Sequence, residues 1–352
     1  MTIFRAALTE TGAHAHRPTA PAAALAIDEL VVQYRQRSQW QTAVSDVSLA
    51  LDPGDYLGVV GESGCGKSTL IHALLGLLPA NARVSAGAVR IDGHDVVGLR
   101  DKEFRPLRWN TVAVVLQSGM NALNPLLTLR AQFRDLFKAH GLARRDADRR
   151  CEELLTRVRV PADRADAYAH QLSGGMRQRA CIALALALDP KLLILDEPTT
   201  ALDVVVQREI FDLIDELKAE RGFAVLLVSH DLALVLERAS RVAVMYAGRI
   251  VELAPGDALE GSVKHPYAAG LLAAFPRLGQ RSRAAEIIPG APPRLGSFPA
   301  GCAFHPRCVN RQERCSLEEP PLEQRGAVQL ACFYPVGAEA AGAEAAGGEE
   351  DA

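Results

Sequence analysis

Residues 61–69 read Gly-Glu-Ser-Gly-Cys-Gly-Lys-Ser-Thr, and this run restricts the fold more than any other part of the chain. It fits G-x-x-x-x-G-K-[ST] between the apolar run 56–60 (YLGVV) and the helical pattern 71–78 (IHALLGLL). A strand that turns through such a loop into a helix predicts a βα unit of a parallel sheet. Gly61, Gly64 and Gly66 let the backbone curl so that its N–H groups face phosphate oxygens, and the following helix adds its positive end. Lys67 is placed to reach β- and γ-phosphates, the Ser68 hydroxyl to ligate Mg²⁺, and Thr69 to touch the α-phosphate. Ser63 and Cys65 complete the loop, Cys65 as a small loop residue. Such a loop predicts nucleotide binding, a property shared by kinases, GTPases and many motors.

The rest of the chain agrees with an α/β body. LLILD (192–196) and AVLLVS (224–229) are apolar runs of the kind buried on both faces of a parallel sheet, and a helical pattern over 204–220 separates them. IDELVVQY and AVSDVSLAL read as further strands, with a turn at Asp52-Pro53-Gly54. We expect a flexible leader over 1–24, the α/β body over 25–262 with an inserted helical subdomain over about 118–185, a loop-rich extension over 263–335, and a disordered acidic tail over 336–352. No run approaches the roughly 20 apolar residues that span a bilayer, and the leader lacks the apolar core of a signal peptide. A net charge of −3 gives no global basic field for nucleic acid.

A second phosphate-binding device appears at Gln171-Leu-Ser-Gly-Gly-Met-Arg-Gln-Arg179, just before the apolar helix pattern CIALALAL. Ser173 is placed as an N-cap, and Gly174 and Gly175 leave N–H groups bare at a helix start. One nucleotide cannot easily use both devices of one monomer. A head-to-tail dimer, in which Ser173 and Gly175 of one subunit close on the γ-phosphate held by the other, is the economical arrangement.

LSGGMRQR followed by LLILDEPTTALD resembles the signature arrangement of the ABC ATPase superfamily. The resemblance implies a P-loop ATPase with a mixed or parallel sheet core and two such subunits per working unit. Asp196 would hold Mg²⁺ together with Ser68 and Gln117. Glu197 would act as general base on the attacking water. Gln117 resembles the glutamine that touches Mg²⁺ and water while facing the membrane subunit, and His230 resembles the switch histidine that contacts the γ-phosphate. Asp203 would lie on the dimer seam beside Ser173, Gly174 and Gly175. Tyr34 would stack on adenine, with Trp40 as a competitor.

VGESGCGKST, YAHQLSGGMRQR, SHDLALVLERASRVAVMYAGRIVE, KHPYAAGLLAAFP and IPGAPPRLGSFPAGCAFHPRC together resemble the oligopeptide/dipeptide (and nickel) uptake subfamily, over about residues 26–335. Two departures stand out: SGMNALNP follows Gln117 where the family commonly has Asp-Pro, and Ser240 occupies a usual Asp position. The resemblance implies a bacterial importer ATPase for di- or oligopeptides at the cytoplasmic face of the inner membrane. Its expected partners are a second, different ATPase chain, two membrane-spanning permease subunits and an extracytoplasmic solute-binding protein. Nickel or another small solute is an alternative cargo, and a soluble ABC ATPase acting on nucleic acid or ribosomes is an alternative function. The latter usually carries two ATPase units or a coiled-coil insertion, which this sequence lacks.

Seven cysteines, an odd number, argue against a disulfide framework. Four of them cluster as Cys302-x₅-Cys308-x₆-Cys315-x₁₆-Cys332. Four thiolates suit a [4Fe–4S] cluster or tetrahedral Zn²⁺, and free thiols or disulfides remain open. Zinc favours tighter C-x₂₋₄-C pairs, and members of the resembled subfamily can carry an iron–sulfur cluster in this extension.

Overall fold

The computed structural model describes residues 23–116, 123–199, 202–274 and 288–337. Nearly all of the leader (up to residue 22), Gln117 with the five residues after it, residues 200–201, residues 275–287 and the tail from residue 338 lie outside them.

Two sheets form the scaffold. Strands β1 (Leu25–Gln36), β2 (Gln39–Leu51), β4 (Ala82–Ile91) and β5 (His94–Asp95) make an antiparallel sheet of order β2-β1-β4-β5. The larger sheet has the order β11-β12-β10-β9-β3-β8-β7-β6. Its strands are β3 (Tyr56–Val60), β6 (Val112–Val115), β7 (Leu192–Asp196), β8 (Ala224–Ser229), β9 (Arg241–Tyr246), β10 (Arg249–Pro255), β11 (Glu323–Arg325) and β12 (Val328–Leu330). From β9 through β3, β8 and β7 to β6 all pairings are parallel, and the β9-β10-β12-β11 side is antiparallel. The sheet core is therefore mixed, and β3, which feeds the glycine-rich loop, lies at its centre.

The apolar runs are explained by the two cores they serve. Within β8, Val225 and Leu227 join one hydrophobic cluster while Ala224, Leu226 and Val228 join the other; within β7, Leu193 and Leu195 face opposite to Leu192 and Ile194. A strand buried on both faces needs no polar alternation, so it reads as an unbroken run. The first face carries the helices Gly174–Ala185 and Val204–Arg221. The second is covered by the antiparallel sheet and by helix Lys67–Leu74. Gly58 lies where β3 meets helix Leu232–Arg238: a Cβ there would sit 2.1 Å from a Val235 methyl.

Helix ends follow local chemistry. Asp203 caps Val204–Arg221 through Oδ1, which accepts from Val205 and Val206 N–H at 3.1 and 3.0 Å, and Gly222 at φ +70° closes it. Between β6 and β7 the chain is helical, with Leu129–Ala139 and Arg144–Arg157 tied by Arg130, which bonds Glu152 at 2.8 Å and Asp166 at 2.8 Å.

The loop-rich extension differs from its sequence texture in one respect. It contributes β11 and β12, and β12 pairs with β10 through Glu252↔Leu330. Strands of three residues are too short to carry a periodic signal. Phe304, Val328, Leu330 and Cys332 also join the main core, so the extension is packed onto the body. Buried Glu252 accepts the N–H groups of Lys264 and His265 at 2.9 and 2.8 Å, which fixes where the extension leaves β10. Burial pushes the His265 imidazole down to about 3, so it stays neutral and its Nδ1 accepts from Tyr267 N–H at 3.0 Å.

Candidate functional site

Parallel strands deliver their carboxyl ends to one edge, and the chemistry-bearing residues collect there. The end of β3 continues into the loop 61–66, the end of β7 carries Asp196 and Glu197, and the end of β8 leads to His230. Tyr34, Ser63, Gly64, Gly66, Lys67, Ser68, Thr69, Glu197 and His230 line a cleft of about 570 Å³, joined by Ala43, Leu295 and Phe298.

The loop is drawn tight. Gly66, at φ +112°, begins helix Lys67–Leu74, and a Cβ there would come within 2.9 Å of Ala43 O. Gly61 is closed in the same way: a Cβ would meet Met245 O at 2.2 Å. Lys67 is buried, and its Nζ donates to Gly61 O at 2.5 Å and to Glu62 O at 3.1 Å. Ser63, Gly64 and Ser68 are exposed at the rim. Cys65 is buried with Sγ 3.6 Å from Lys67 Nζ, and burial raises its thiol pKa, so it is held as a neutral thiol. Tyr34 Oη lies 3.4 Å from Thr69 Oγ1, which sets the ring beside the loop. Trp40 does not line the cleft; the Arg83 guanidinium covers its ring at 4.0 Å.

Across the cleft, Glu197 Oε1 is 3.0 Å from His230 Nδ1. The carboxylate is only 14% exposed, whereas the imidazole is 59% exposed. Glu197 adopts φ +45°, a conformation disfavoured for a residue with a side chain, and its N–H donates to Val228 O at 2.9 Å. That bond crosses to β8 and holds the residue in its unusual conformation. Burial, and secondly the neighbouring Glu197 charge, raise the Asp196 carboxyl above the usual carboxylate range, while His72 and Lys67 draw it back. A half-buried acid beside a second acid suits a divalent cation, which supplies positive charge to both. Gln117 lies outside the described residues.

Ser173, Gly174, Gly175 and Asp203 do not line this cleft. Ser173 is exposed and caps helix Gly174–Ala185, its Oγ accepting from Met176 N–H at 3.2 Å. A Cβ on Gly175 would lie 3.0 Å from a Val206 methyl, so the two glycines sit beside the start of the Asp203-capped helix. Val204 and Val205 beside Asp203 are 79% and 69% exposed. The structure brings the loop, Tyr34, Glu197 and His230 together around the cleft, sets Asp196 at the end of β7 next to Glu197 but not among the lining residues, and leaves the signature residues outside the cleft lining.

Cys302, Cys308, Cys315 and Cys332 are free thiols, joined in no disulfide. Cys302, Cys308, Cys315 and Cys332 line one small cavity with His265, Phe304 and Phe333. Backbone N–H groups of Phe304 and His305 point at the Cys302 sulfur, that of Asn310 at Cys308, and that of Tyr334 at Cys332. Burial, with the other three sulfurs as lesser contributors, pushes the Cys332 thiol up to about 12. Among the described residues no group of three or more His, Cys, Asp or Glu side chains is arranged to hold a single metal ion.

Three residues of the cleft, Ala43, Leu295 and Phe298, had no sequence signal as site residues. Leu295 and Phe298 come from the extension, and the Cβ position of Gly296 between them lies 3.2 Å from the Gln41 side chain. Only the return of the chain onto β2 brings them there.

Residues 44–200 match the ABC transporter family, and residues 251–315 match the oligopeptide/dipeptide transporter C-terminal region. The chain belongs to the ABC transporter ATP-binding proteins and is an ATP-hydrolysing cassette that uses ATP and Mg²⁺. A relative in Brucella abortus (strain 2308), named "Putative peptide import ATP-binding protein", is 43% identical over 88% of this chain and 94% of its own. A second, in Brucella melitensis biotype 1, bears the same name at 42% identity over 85% and 93%. Among solved structures, the ATP-binding cassette MJ0796, a dimer in a post-hydrolysis state with ADP and Pi, is 28% identical with a TM-score of 0.58, covering 66% of this chain and 98% of its own. CbiO1 of Clostridium perfringens, part of the transporter complex CbiONQ, is 27% identical with a TM-score of 0.59, covering 68% and 91%. Among the described residues no helix is long and apolar enough to cross a membrane.

Proposed function

We propose that this chain powers a bacterial importer of di- or oligopeptides, at the cytoplasmic face of the inner membrane. The observation that carries the reading is the joining of a cleft lined by the glycine-rich loop, Glu197 and His230 to an extension of the oligopeptide/dipeptide type. Its partners are a second, different ATPase subunit, two membrane-spanning permease subunits and an extracytoplasmic solute-binding protein. The helix start at exposed Ser173 and half-buried Gly174 and Gly175, with the exposed Val204–Val205 pair beside Asp203, favours the head-to-tail dimer, because these residues offer bare N–H groups and apolar surface that the cleft of the same chain does not use.

In that dimer the γ-phosphate lies between Lys67 and the partner's signature helix. Ser68 and Asp196, with Gln117, would hold Mg²⁺, which neutralises phosphate charge. Glu197 accepts a proton from water as its oxygen bonds the γ-phosphorus and the β–γ bridging P–O bond breaks. His230 holds the Glu197 carboxylate in place through the 3.0 Å contact. Tyr34 offers its ring to adenine. Purified chain is expected to hydrolyse ATP faster when its permease subunits are added. Stimulation by nucleic acid or ribosomes, with indifference to the permease, would overturn the reading.

The finer assignment for the extension is a [4Fe–4S] cluster. The four thiols share one cavity, and three of them receive N–H groups that would stabilise ligated, negatively charged sulfur. The cluster would pin Cys302, Cys308, Cys315 and Cys332 together. Anaerobically purified protein is expected to contain iron and acid-labile sulfide, both lost in Cys308→Ser. Iron-free protein after anaerobic reconstitution would contradict the assignment.

A further inference from the structure

Glu62, the second residue of the phosphate loop, is gripped by the extension. Arg307 Nη1 donates to Glu62 Oε2 at 2.6 Å and Nη2 to Oε1 at 2.9 Å, a bidentate pair. Its Nε donates to Pro289 O at 2.8 Å, and Nη1 also reaches Tyr246 Oη at 3.4 Å. The Arg307 side chain is 6% exposed and that of Glu62 25%, so the guanidinium is shielded and water reaches the pair only from the carboxylate side. The Glu62 N–H donates to Tyr267 Oη at 2.8 Å, so both the backbone and the side chain of this loop residue are held by residues beyond 260.

The grip lies between two chemistries. Arg307 directly precedes Cys308 and closes the turn in which His305 N–H donates to Cys302 O at 2.9 Å. On the other side, the carbonyls of Gly61 and Glu62 are the partners of Lys67 Nζ. A displacement of Glu62 therefore moves the atoms against which the phosphate-binding lysine rests.

We propose that Arg307 is a positioning residue of the ATP site: by fixing Glu62 it holds the phosphate loop in its binding shape, and it transmits the state of the four-thiol loop to nucleotide affinity. This rests on placing the phosphates in the Gly61–Thr69 loop. A buried bidentate pair that loses one partner leaves a charge desolvated and unheld, which is the reason for a large effect at a residue outside the cleft lining. The conservative change to lysine keeps the charge and loses the fork.

The test is the dissociation constant of a fluorescent ATP analogue on the full chain, measured beside its thermal midpoint. Arg307→Ala is expected to weaken binding about tenfold, the equivalent of losing one charge-assisted contact. Arg307→Lys should recover part of that, and Glu62→Ala should weaken binding similarly. The double variant should be no worse than either single one, because both remove the same contact. Cys308→Ser should weaken binding in the presence of Arg307 and have no further effect in Arg307→Ala. Unchanged affinity in Arg307→Ala with a lowered midpoint would make Arg307 a structural pin only and overturn the proposal. Additive losses in the double variant would overturn it as well. Should Arg307→Ala fail to fold, Glu62→Gln, which keeps the side-chain shape, gives the same reading. Lys67→Ala is the control: tight binding there would refute the placement of the phosphates, whereas lost binding there with unchanged Arg307→Ala refutes only the role of Arg307.

Discussion

Glu197→Gln is expected to leave ATP bound and to lower its turnover by about 10²- to 10⁴-fold, the range supplied by a positioned general base. The amide preserves the shape of the side chain and can still meet His230, so the cleft keeps its walls. What it loses is the capacity to take a proton from water. The side chain is placed for chemistry: the residue sits at φ +45° with its N–H bonded to Val228 O, and its carboxylate lines the cleft 3.0 Å from His230. Trapped nucleotide with slow turnover, measured by phosphate release against binding of labelled ATP, is the expected pair of results. Unchanged turnover would move the base elsewhere in the cleft.

Lys67→Ala should act one step earlier, weakening ATP binding by about a hundredfold, since two charge-assisted phosphate contacts are removed. The ammonium rests on the Gly61 and Glu62 carbonyls at 2.5 and 3.1 Å. These groups hold the lysine at the mouth of the loop, and its removal leaves the loop shaped by Gly61 and Gly66. The midpoint of unfolding should therefore change little while affinity falls, a split that equilibrium binding and a thermal melt read directly. A large loss of stability without loss of affinity would assign Lys67 to the fold.

The sequence was most informative where a physical rule acts over few residues. The glycine-rich loop, the apolar runs of β7 and β8, and the Ser173 cap are local, and each is visible in consecutive letters. The faces of β7 and β8 were not visible, because a strand buried on both sides has no alternation. Of the antiparallel sheet, β1 and β2 were legible as separate strands, whereas β4 was not read, and neither was a sheet apart from the main one, since pairing depends on register between distant segments. β11 and β12 were too short to be seen.

The site divides in the same way. Lys67 opens the helix that follows β3 and its loop, and Asp196, Glu197 and His230 lie at the ends of β7 and β8, so strand assignment and motif together pointed to them. Leu295, Phe298 and Arg307 reach the nucleotide loop only because the extension docks beside β10 and folds back, and no local pattern marks a contact between residue 62 and residue 307. Tyr34 was favoured over Trp40 from its resemblance, and the physical distinction is that Tyr34 touches Thr69 whereas Trp40 lies under Arg83.

The most direct test of the account is uptake of a labelled dipeptide or oligopeptide by cells in which the chain is intact or carries Glu197→Gln. The account predicts that uptake requires this chain and is lost in the variant while the protein remains present at the membrane. Undiminished peptide uptake in the Glu197→Gln cells, with the variant shown to be inactive in hydrolysis, would contradict it.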